Sequence, residues 1–266
     1  MYDAHARAVG HLREQSLRRA LSVVDGPPGL LAVFDSDWPA SYFSNRVLVT
    51  ADLPSGVGPE DVLTFTEGAF AARELDHRKI DVLDGTTGDR LLDGLVEAGF
   101  AHEVVLVMAA GSGPTRTIGS VTVETVPEDD VRGLVEEGWR LEGPAFSAET
   151  VRQLVGRRAA MDRVGPITRL AVRDPASGAV VAKADLVVID TVAEIDDVMT
   201  LPDHRGRGYA SALVLEAVLT ARGEGCDLVY LQAAEDDWPQ HLYTRLGFAE
   251  IGRTHELTRT SAAVTP

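Results

Sequence analysis

Cysteine, long apolar runs and basic residues are all scarce in this chain. Its 266 residues include one cysteine, Cys226, so no disulfide can form within the chain, and a reducing cytoplasm is the expected compartment. No segment approaches the roughly 18 consecutive apolar residues that a membrane span needs. The first residues lack the apolar core of a secretory signal. These absences predict a cytoplasmic globular protein, and its length favours two compact units.

Acidic residues outnumber basic ones by 41 to 25, which gives a formal net charge of −16 with histidines neutral. Nucleic acids and anionic membranes bind through clustered Lys and Arg, so neither is an expected partner. An acidic surface favours a cationic partner such as an amine, although solubility alone also accounts for this composition.

A stretch of small residues with glycine and proline, residues 109–115, divides the chain and is typical of a linker. Strand patterns alternate with helical patterns on both sides of it, which predicts an α/β protein with a mixed sheet. We predict a first domain at 1–110, a linker at 111–116, a second domain at 117–258 and a flexible tail at 259–266.

The apolar spacing also predicts individual elements. Thr125 and Glu128 fit a capping box at the start of a helix, and a further helix is expected after Ser147. The other predicted helices are 60–74, 87–98, 208–222 and 240–246. The predicted strands are 30–34, 46–49, 77–83, 104–108, 121–125, 167–172, 180–188, 193–200, 228–233 and one that begins at 248.

The connection between the predicted strand 193–200 and the helix after it is rich in glycine and arginine. Gly206 and Gly208 let the backbone approach an anion, and the free N–H groups of a helix start bind phosphate well. The sequence is not a P-loop, because no Lys-Ser or Lys-Thr follows the glycines. It is not a dinucleotide fingerprint either, because Ser211 stands where a third glycine would be. A plain strand–helix connection remains the alternative.

At this junction the sequence resembles the GCN5-related N-acetyltransferase (GNAT) superfamily. The family's cofactor motif, Gln/Arg-x-x-Gly-x-Gly/Ala, is matched by residues 205–210, Arg-Gly-Arg-Gly-Tyr-Ala. Residues 242–248, Leu-Tyr-Thr-Arg-Leu-Gly-Phe, are similar to the family's second signature, and residues 194–202 resemble its fourth strand. The resemblance covers about the last 140 residues.

The resemblance implies the acyl-CoA N-acyltransferase fold, a mixed sheet that opens between strands near Thr200 and Leu231. It implies transfer of an acetyl group from acetyl-CoA to a primary amine by direct attack, without a metal. The backbone N–H of Met199 or Thr200 would polarise the thioester carbonyl. The cofactor-binding residues that it implies are Val198, Met199, Thr200, Arg205, Gly206, Arg207, Gly208, Tyr209, Ala210, Ser211 and Asp236.

Two side chains are implied in proton transfer. Tyr243 occupies the position of the general acid that protonates the departing thiolate, and Glu194 that of the base in some relatives. The structural alternatives are a Tyr243 ring that packs on the sheet while its hydroxyl makes a structural hydrogen bond, a Glu194 that is a solvated or hydrogen-bonded strand residue, and a base that is an ordered water. Asp236 and Pro239 replace the Asn and Ala that are frequent in the family, which leaves donor affinity open.

Three further residues are chemically conspicuous. We interpret Cys226 as a small core residue, and His204 as a contact with solvent or phosphate. Trp238 would either pack under a loop or line the acceptor pocket.

The first half shares an order of elements with the second. Residues 77–108 run strand, helix, Ala-Gly-Phe, strand, like residues 228–257, although nothing upstream resembles the cofactor motif and Leu95 stands in place of Tyr243. We therefore predict a degenerate GNAT-like domain that cannot bind CoA and that shapes the acceptor site together with residues 126–165. An unrelated α/β extension is the alternative.

Three functions remain open at this stage. They are acetylation of a small-molecule or peptide amine, a non-catalytic CoA-binding or sensing module, and transfer to a hydroxyl or thiol. The retained Tyr243 favours catalysis over binding alone, since a pure binder needs no acid for a thiolate. Oligomeric state is open as well, with a homodimer common among similar proteins.

Overall fold

The computed structural model describes residues 2–111, 121–142 and 146–260. Over these residues eleven strands form one sheet, and none of the helices is long and apolar enough to cross a membrane. The strands are β1 Ser22–Asp25, β2 Leu30–Phe34, β3 Arg46–Val49, β4 His77–Val82, β5 Ala101–Ala110, β6 Glu124–Thr125, β7 Ile167–Arg173, β8 Val180–Ile189, β9 Val192–Thr200, β10 Leu228–Ala234 and β11 Phe248–Thr260. The α-helices are α1 Tyr2–Arg19, α2 Pro59–Ala71, α3 Gly85–Glu97, α4 Glu128–Glu142, α5 Ala148–Gly156, α6 Tyr209–Gly223 and α7 Pro239–Arg245, with 3₁₀ turns at Arg157–Arg163 and Pro202–His204.

The order of the strands in the sheet has an internal pseudo-twofold symmetry. From one edge to the other it is β1-β2-β3-β4-β11-β5-β10-β9-β8-β7-β6. Each half contributes one parallel pair, β3 with β4 and β9 with β10, and every other pairing is antiparallel. The first half therefore repeats the strand order of the second, which confirms two similar domains in tandem.

The two halves exchange their last strands. β5, from the first half, pairs with β10 of the second, where Met108 lies opposite Leu231. β11, from the second half, pairs with β4 of the first, where Leu257 lies opposite Ile80. β5 and β11 also pair with each other along most of their length. Each half thus completes its sheet with a strand from the other.

Helices cover both faces of this sheet. The helices α2, α3, α6 and α7 lie on one face, where α6 packs Leu213 and Val214 into a core that also contains Leu106 and Met108 of β5. The helices α1, α4 and α5 lie on the opposite face, where Leu12 of α1 packs against strands of both halves. The core of the second half is consequently built in part from residues of the first.

Most predicted elements are present, with small differences at their ends. The strand predicted at 121–125 is wrong in extent, because only Glu124 and Thr125 find backbone partners on β7. The predicted capping box is also wrong, because Thr125 is a strand residue and the Glu128 carboxylate binds Arg158 and Arg169 instead. Residues 259 and 260, predicted as tail, belong to β11 and pair with β4. The rest of the tail and most of the linker lie outside the described residues.

The sequence patterns missed α1 and β1 altogether. The apolar residues of α1 that meet the sheet are small or widely spaced, as with Ala8 and Leu12. Much of the buried surface of α1 is polar and includes Gln15, Ser16 and Arg19. A helix with a buried polar stripe has no strong apolar periodicity, so the pattern that detects amphipathic helices does not find it.

The strand exchange predicts that the second half does not fold alone. A fragment of residues 121–260 would leave β10 and β11 without β5 and would remove Leu106 and Met108 from its core. We expect no cooperative thermal transition for this fragment by circular dichroism, and recovery of the transition on co-expression with residues 1–111. A transition of the isolated fragment close to that of the full chain would contradict this prediction.

Candidate active site

The sheet opens between β9 and β10. The two strands pair from Val192 opposite Leu228 as far as Ile195 opposite Leu231, and then separate. At the point of separation Asp197 adopts a positive φ of 50°, and the register of β9 on β8 slips. An extra residue of this kind bends a strand and increases its local twist, so the bulge turns the end of β9 away from β10. This opening lies where the resemblance implied it.

A cradle of free backbone N–H groups lies at the mouth of this opening. Gly206 and Gly208 have φ values of 75° and 82°, in the left-handed region where a Cβ is unfavourable. The first backbone hydrogen bond of α6 runs from the Ala212 N–H to the Gly208 carbonyl, at 3.0 Å. Within the described chain, no N–H of residues 206–211 donates to a backbone carbonyl. Six donors at a helix start are therefore available to an anion.

The two arginines of the cradle add positive charge to it and also stabilise its shape. Arg205 Nε donates to the Thr200 carbonyl at 3.1 Å, and Arg207 Nη2 donates to the Asp203 carbonyl at 3.1 Å. A Cβ built on Gly206 would meet no atom within 4 Å, so the space in front of the loop is open. The cradle is thus preformed and accessible.

The equivalent connection in the first half has lost these donors. It leads from β3 to α2, where Pro59 has no N–H and Asp61 Oδ2 accepts the Gly58 N–H at 2.9 Å. The carboxylate takes up the Gly58 N–H, and its negative charge repels phosphate at this helix start. Only the second half retains an anion cradle among the described residues.

Tyr243 lies on α7 with its ring buried at 7% exposure, beside Phe248 at 6.2 Å between ring centroids. Burial raises its pKa to about 12, with smaller contributions from the charges of Asp196 and Asp237. The hydroxyl makes no hydrogen bond with any residue in the described ranges. The ring therefore packs in the core, but in the described ranges the hydroxyl lacks the structural hydrogen bond that the alternative expected, and the phenol is a protonated donor.

Glu194 lies on β9 at 4% exposure, and its Oε2 accepts a hydrogen bond from Gln15 Nε2 of α1. Burial, together with the charge of Asp196, raises its pKa to about 8. The Gln15 hydrogen bond and the charges of Arg19 and Arg46 act in the opposite direction. A carboxyl group with a pKa in this range accepts and releases protons near neutral pH.

The surroundings of Glu194 form a buried hydrogen-bonded chain. Gln15 Nε2 also lies 2.9 Å from His11 Nδ1, which lies 2.8 Å from the Tyr230 hydroxyl. Burial is the largest of the causes that lower the pKa of His11 to about 4, so this histidine is neutral. These hydrogen bonds hold the Glu194 side chain in place from the α1 side.

Glu194 and Tyr243 approach the opening from opposite faces of the sheet. Tyr230, the partner of Glu194 in register, packs against α1, whereas Leu231 packs in the core beneath α6 together with Tyr243. Because side chains alternate along a strand, Glu194 points to the α1 face. A proton acceptor on one face and a proton donor on the other suit a reaction in which one group enters the opening as another leaves.

Two adjoining cavities lie on the α1 face, of about 220 Å³ and about 40 Å³. Both are lined by Arg19 from α1, Phe43 from the connection between β2 and β3, and Asp196 from β9. Sequence reasoning expected the first half to shape the acceptor site but did not identify these residues. No local signal marks them, because they come from three distant segments.

The remaining predicted residues are distributed as follows. Cys226 is a buried core residue, as predicted, whereas Trp238 is 56% exposed and packs under no loop. Asp236 is exposed just beyond β10. His204 lines a groove of about 760 Å³ between α4 and the β7–β8 turn. This groove is larger than the two cavities on the α1 face and lies outside the opening between β9 and β10, so volume alone does not locate the reaction site.

Comparisons with known proteins agree with this geometry. The acetyltransferase (GNAT) family matches residues 134–248. A glucosamine 6-phosphate N-acetyltransferase from Trypanosoma brucei brucei is 28% identical over 147 residues, which are 52% of this chain and 93% of that protein.

Solved structures extend the likeness to both halves. A GCN5-related N-acetyltransferase from Kribbella flavida has a TM-score of 0.64 at 20% identity, covering 97% of this chain and 96% of its own. A tandem GNAT protein from the clavulanic acid biosynthesis pathway has a TM-score of 0.56 at 13% identity, with 92% and 86% covered.

The left-handed conformation of Gly208 gives a stability prediction. Gly208→Ala places a Cβ at a φ of 82° and should lower the free energy of unfolding by about 1–2 kcal/mol. Gly223→Ala, at the other end of α6, meets no atom within 4 Å and should raise it by about 0.5–1 kcal/mol. Urea denaturation of both variants measures the two changes in the free energy of unfolding. Equal changes of the same sign would contradict the left-handed conformation of Gly208.

Proposed function

We propose that this chain, which belongs to the GNAT superfamily of acetyltransferases, transfers an acetyl group from acetyl-CoA to the primary amine of a small molecule. The observation that carries the proposal is the preformed N–H cradle at the mouth of the β9–β10 opening. A protonated phenol on one face of that opening and a titratable carboxyl group on the other complete it. The size of the larger cavity, about 220 Å³, favours a small acceptor over a peptide.

The residues of the opening fit acyl-CoA. The N–H groups of residues 206–211 would bind its pyrophosphate, with Arg205 and Arg207 beside them. Between Val198 and Thr200, β9 pairs with β8 along one edge only. The other edge has no strand partner, so the backbone groups on it are available to the amides of the pantetheine arm. Bound acetyl-CoA supplies the acetyl thioester. Asp236, exposed just beyond β10, would face the donor from the other side.

Proton transfer would use both faces of the sheet. Glu194 would accept a proton from the ammonium form of the acceptor, so that the amine can attack. The N–H of Met199 or Thr200 would donate a hydrogen bond to the thioester oxygen. Tyr243 would donate its proton to the departing sulfur, and its hydroxyl is free of the structural hydrogen bonds that would hold it elsewhere.

Tyr243→Phe tests the general acid. The variant keeps the buried ring and loses the proton, so kcat should fall about 10²–10⁴-fold while the Kd for acetyl-CoA stays unchanged. Steady-state release of free thiol and calorimetric titration of acetyl-CoA measure the two quantities. An unchanged kcat would exclude Tyr243 as the acid.

A matched control removes a hydroxyl elsewhere. Tyr42→Phe alters a tyrosine that stacks on His77 in the first half, and both kcat and the Kd should stay unchanged. If the wild type binds acetyl-CoA and acetylates no amine in a broad panel, the chain is a CoA-binding module instead.

The raised pKa of Glu194 predicts a pH dependence. The base must be deprotonated, so kcat/KM of the wild type should rise with pH and level off above about 8. The acceptor should have an amine pKa well away from 8, so that its own titration is separate. Glu194→Gln should lower kcat/KM and remove the rise.

The control is Glu216→Gln, which neutralises an exposed carboxylate on α6. This variant should show the same pH dependence of kcat/KM as the wild type. A rise that persists in Glu194→Gln and disappears in Asp196→Asn would assign the base to Asp196.

A further inference from the structure

Most charged groups around the two cavities are already paired. Arg46 binds Asp81, and Lys79 bridges Asp81 and Glu256. A second network forms around Arg158, which makes ion pairs with three carboxylates. They belong to Glu128, Asp185 and Asp197, and the last two also pair with the fully buried Lys183. These networks are self-contained, and neither needs a ligand to balance its charge.

Two arginines that line the larger cavity have no such partner. Arg19 is 8% exposed, and neither it nor Arg157 forms an ion pair with a carboxylate in the described part of the chain. Arg19 Nη1 lies 3.2 Å from the sulfur of Met161, which is a weak acceptor. Arg157 Nη1 reaches only the Ser41 hydroxyl, at 3.3 Å. Arg19 is buried and Arg157 is half-buried, so both guanidinium groups lose hydration without a paired carboxylate, and the charge of Asp196 compensates only from a distance greater than an ion pair.

The arrangement concentrates positive charge. The guanidinium carbons of Arg19, Arg46 and Arg157 lie 4.1, 4.4 and 5.2 Å from the centroid of the Phe43 ring. Burial and the charge of Arg46 lower the pKa of Arg19 to about 9. Arg46 is paired with Asp81, whereas Arg19 and Arg157 face the same ring without a paired carboxylate, so an anion between these two would be attracted by both.

The opposite side of the same space is acidic. Asp196 lines both cavities and has no cation within 4 Å in the described ranges, and Glu194 lines the smaller cavity. Asp196 Oδ1 accepts the Asp197 N–H at 2.7 Å, which leaves Oδ2 for a ligand. The cavities therefore have a cationic wall from α1 and the segment after α5, and an anionic wall from β9.

We infer that the acceptor carries an anionic group, a phosphate or a carboxylate, in addition to its amine. Arg19 from the first half and Arg157 from the second bind the anion. Asp196 and Glu194 receive the ammonium group at the opening of the sheet. The inference rests on the proposed function for the identity of the reacting group, and it makes the acceptor site a joint product of both halves.

Matched acceptor pairs test the inference. One pair is glucosamine 6-phosphate with glucosamine, and the other is β-alanine with propylamine, so the two anions are compared separately. A charge-assisted contact typically contributes about 10–100-fold in affinity, so kcat/KM should favour the anionic member of at least one pair by that factor. The pair with the larger ratio identifies phosphate or carboxylate as the anion.

Variants locate the preference. Arg19→Gln and Arg157→Gln should each lower the ratio of kcat/KM for the preferred anionic acceptor to that for its neutral partner about 10-fold or more, because a change in the Glu194 pKa affects both acceptors alike. Arg13→Gln on α1 and Arg152→Gln on α5 change exposed arginines of the same segments and should leave that ratio unchanged. Two separate test variants are included so that a folding defect in one, seen by thermal unfolding, does not decide the result.

The outcomes separate this inference from the proposed function. Equal kcat/KM within both pairs, or an equal loss for both members in Arg19→Gln, would overturn the anion site and leave acetyl transfer standing. If no amine is acetylated, the proposed function fails, and a titration of inorganic phosphate into the protein saturated with coenzyme A decides the site alone. Binding that Arg19→Gln and Arg157→Gln abolish would support the anion site, and absence of binding would overturn it.

Discussion

The backbone pairing of β5 with β11 is the constraint on which the rest of the structure depends. A strand in the centre of a sheet needs a partner on each side, and here both central strands take both partners from the other half of the chain. The exchange joins the two sheets into one and places Leu106 and Met108 in the core of the second half. Because the sheet is continuous, α1 can lie across the boundary and contact β9, β10 and β11 together.

Local sequence patterns predict the elements but not this exchange. The apolar runs of β5 and β10 mark both as buried strands, and the repeated order of elements indicates two related domains. Nothing in those runs states that β5 pairs with Tyr230 to Ala234 rather than with a strand of its own half. Pairing between distant strands depends on how the halves pack, and period-2 alternation is the same in either arrangement.

The candidate site likewise contains residues that the sequence predicts and residues that only the packing of distant segments identifies. The cradle is readable from the sequence because an anion-binding helix start needs glycine at particular positions, and Gly206 and Gly208 carry the left-handed φ values that such a turn requires. Glu194 and Tyr243 follow from motif position. Arg19, Phe43 and Arg157 could not be predicted, since each is unremarkable within its own segment. Their significance arises only where α1, the segment after β2 and the segment after α5 converge.

The strand exchange also explains why a half without a cradle persists. If the cradle before α6 is the one acyl-CoA site of the chain, as proposed, the β3–α2 connection is free to satisfy the Gly58 N–H with Asp61. The strands of that half are not free to change in the same way, because removing β4 would leave one edge of β11 unpaired, and removing β5 would leave one edge of β10 unpaired. Once the first half is retained for its strands, its other surfaces are available for recognition. The side chains that α1 turns toward the opening, Gln15 and Arg19, are where that recognition would reside.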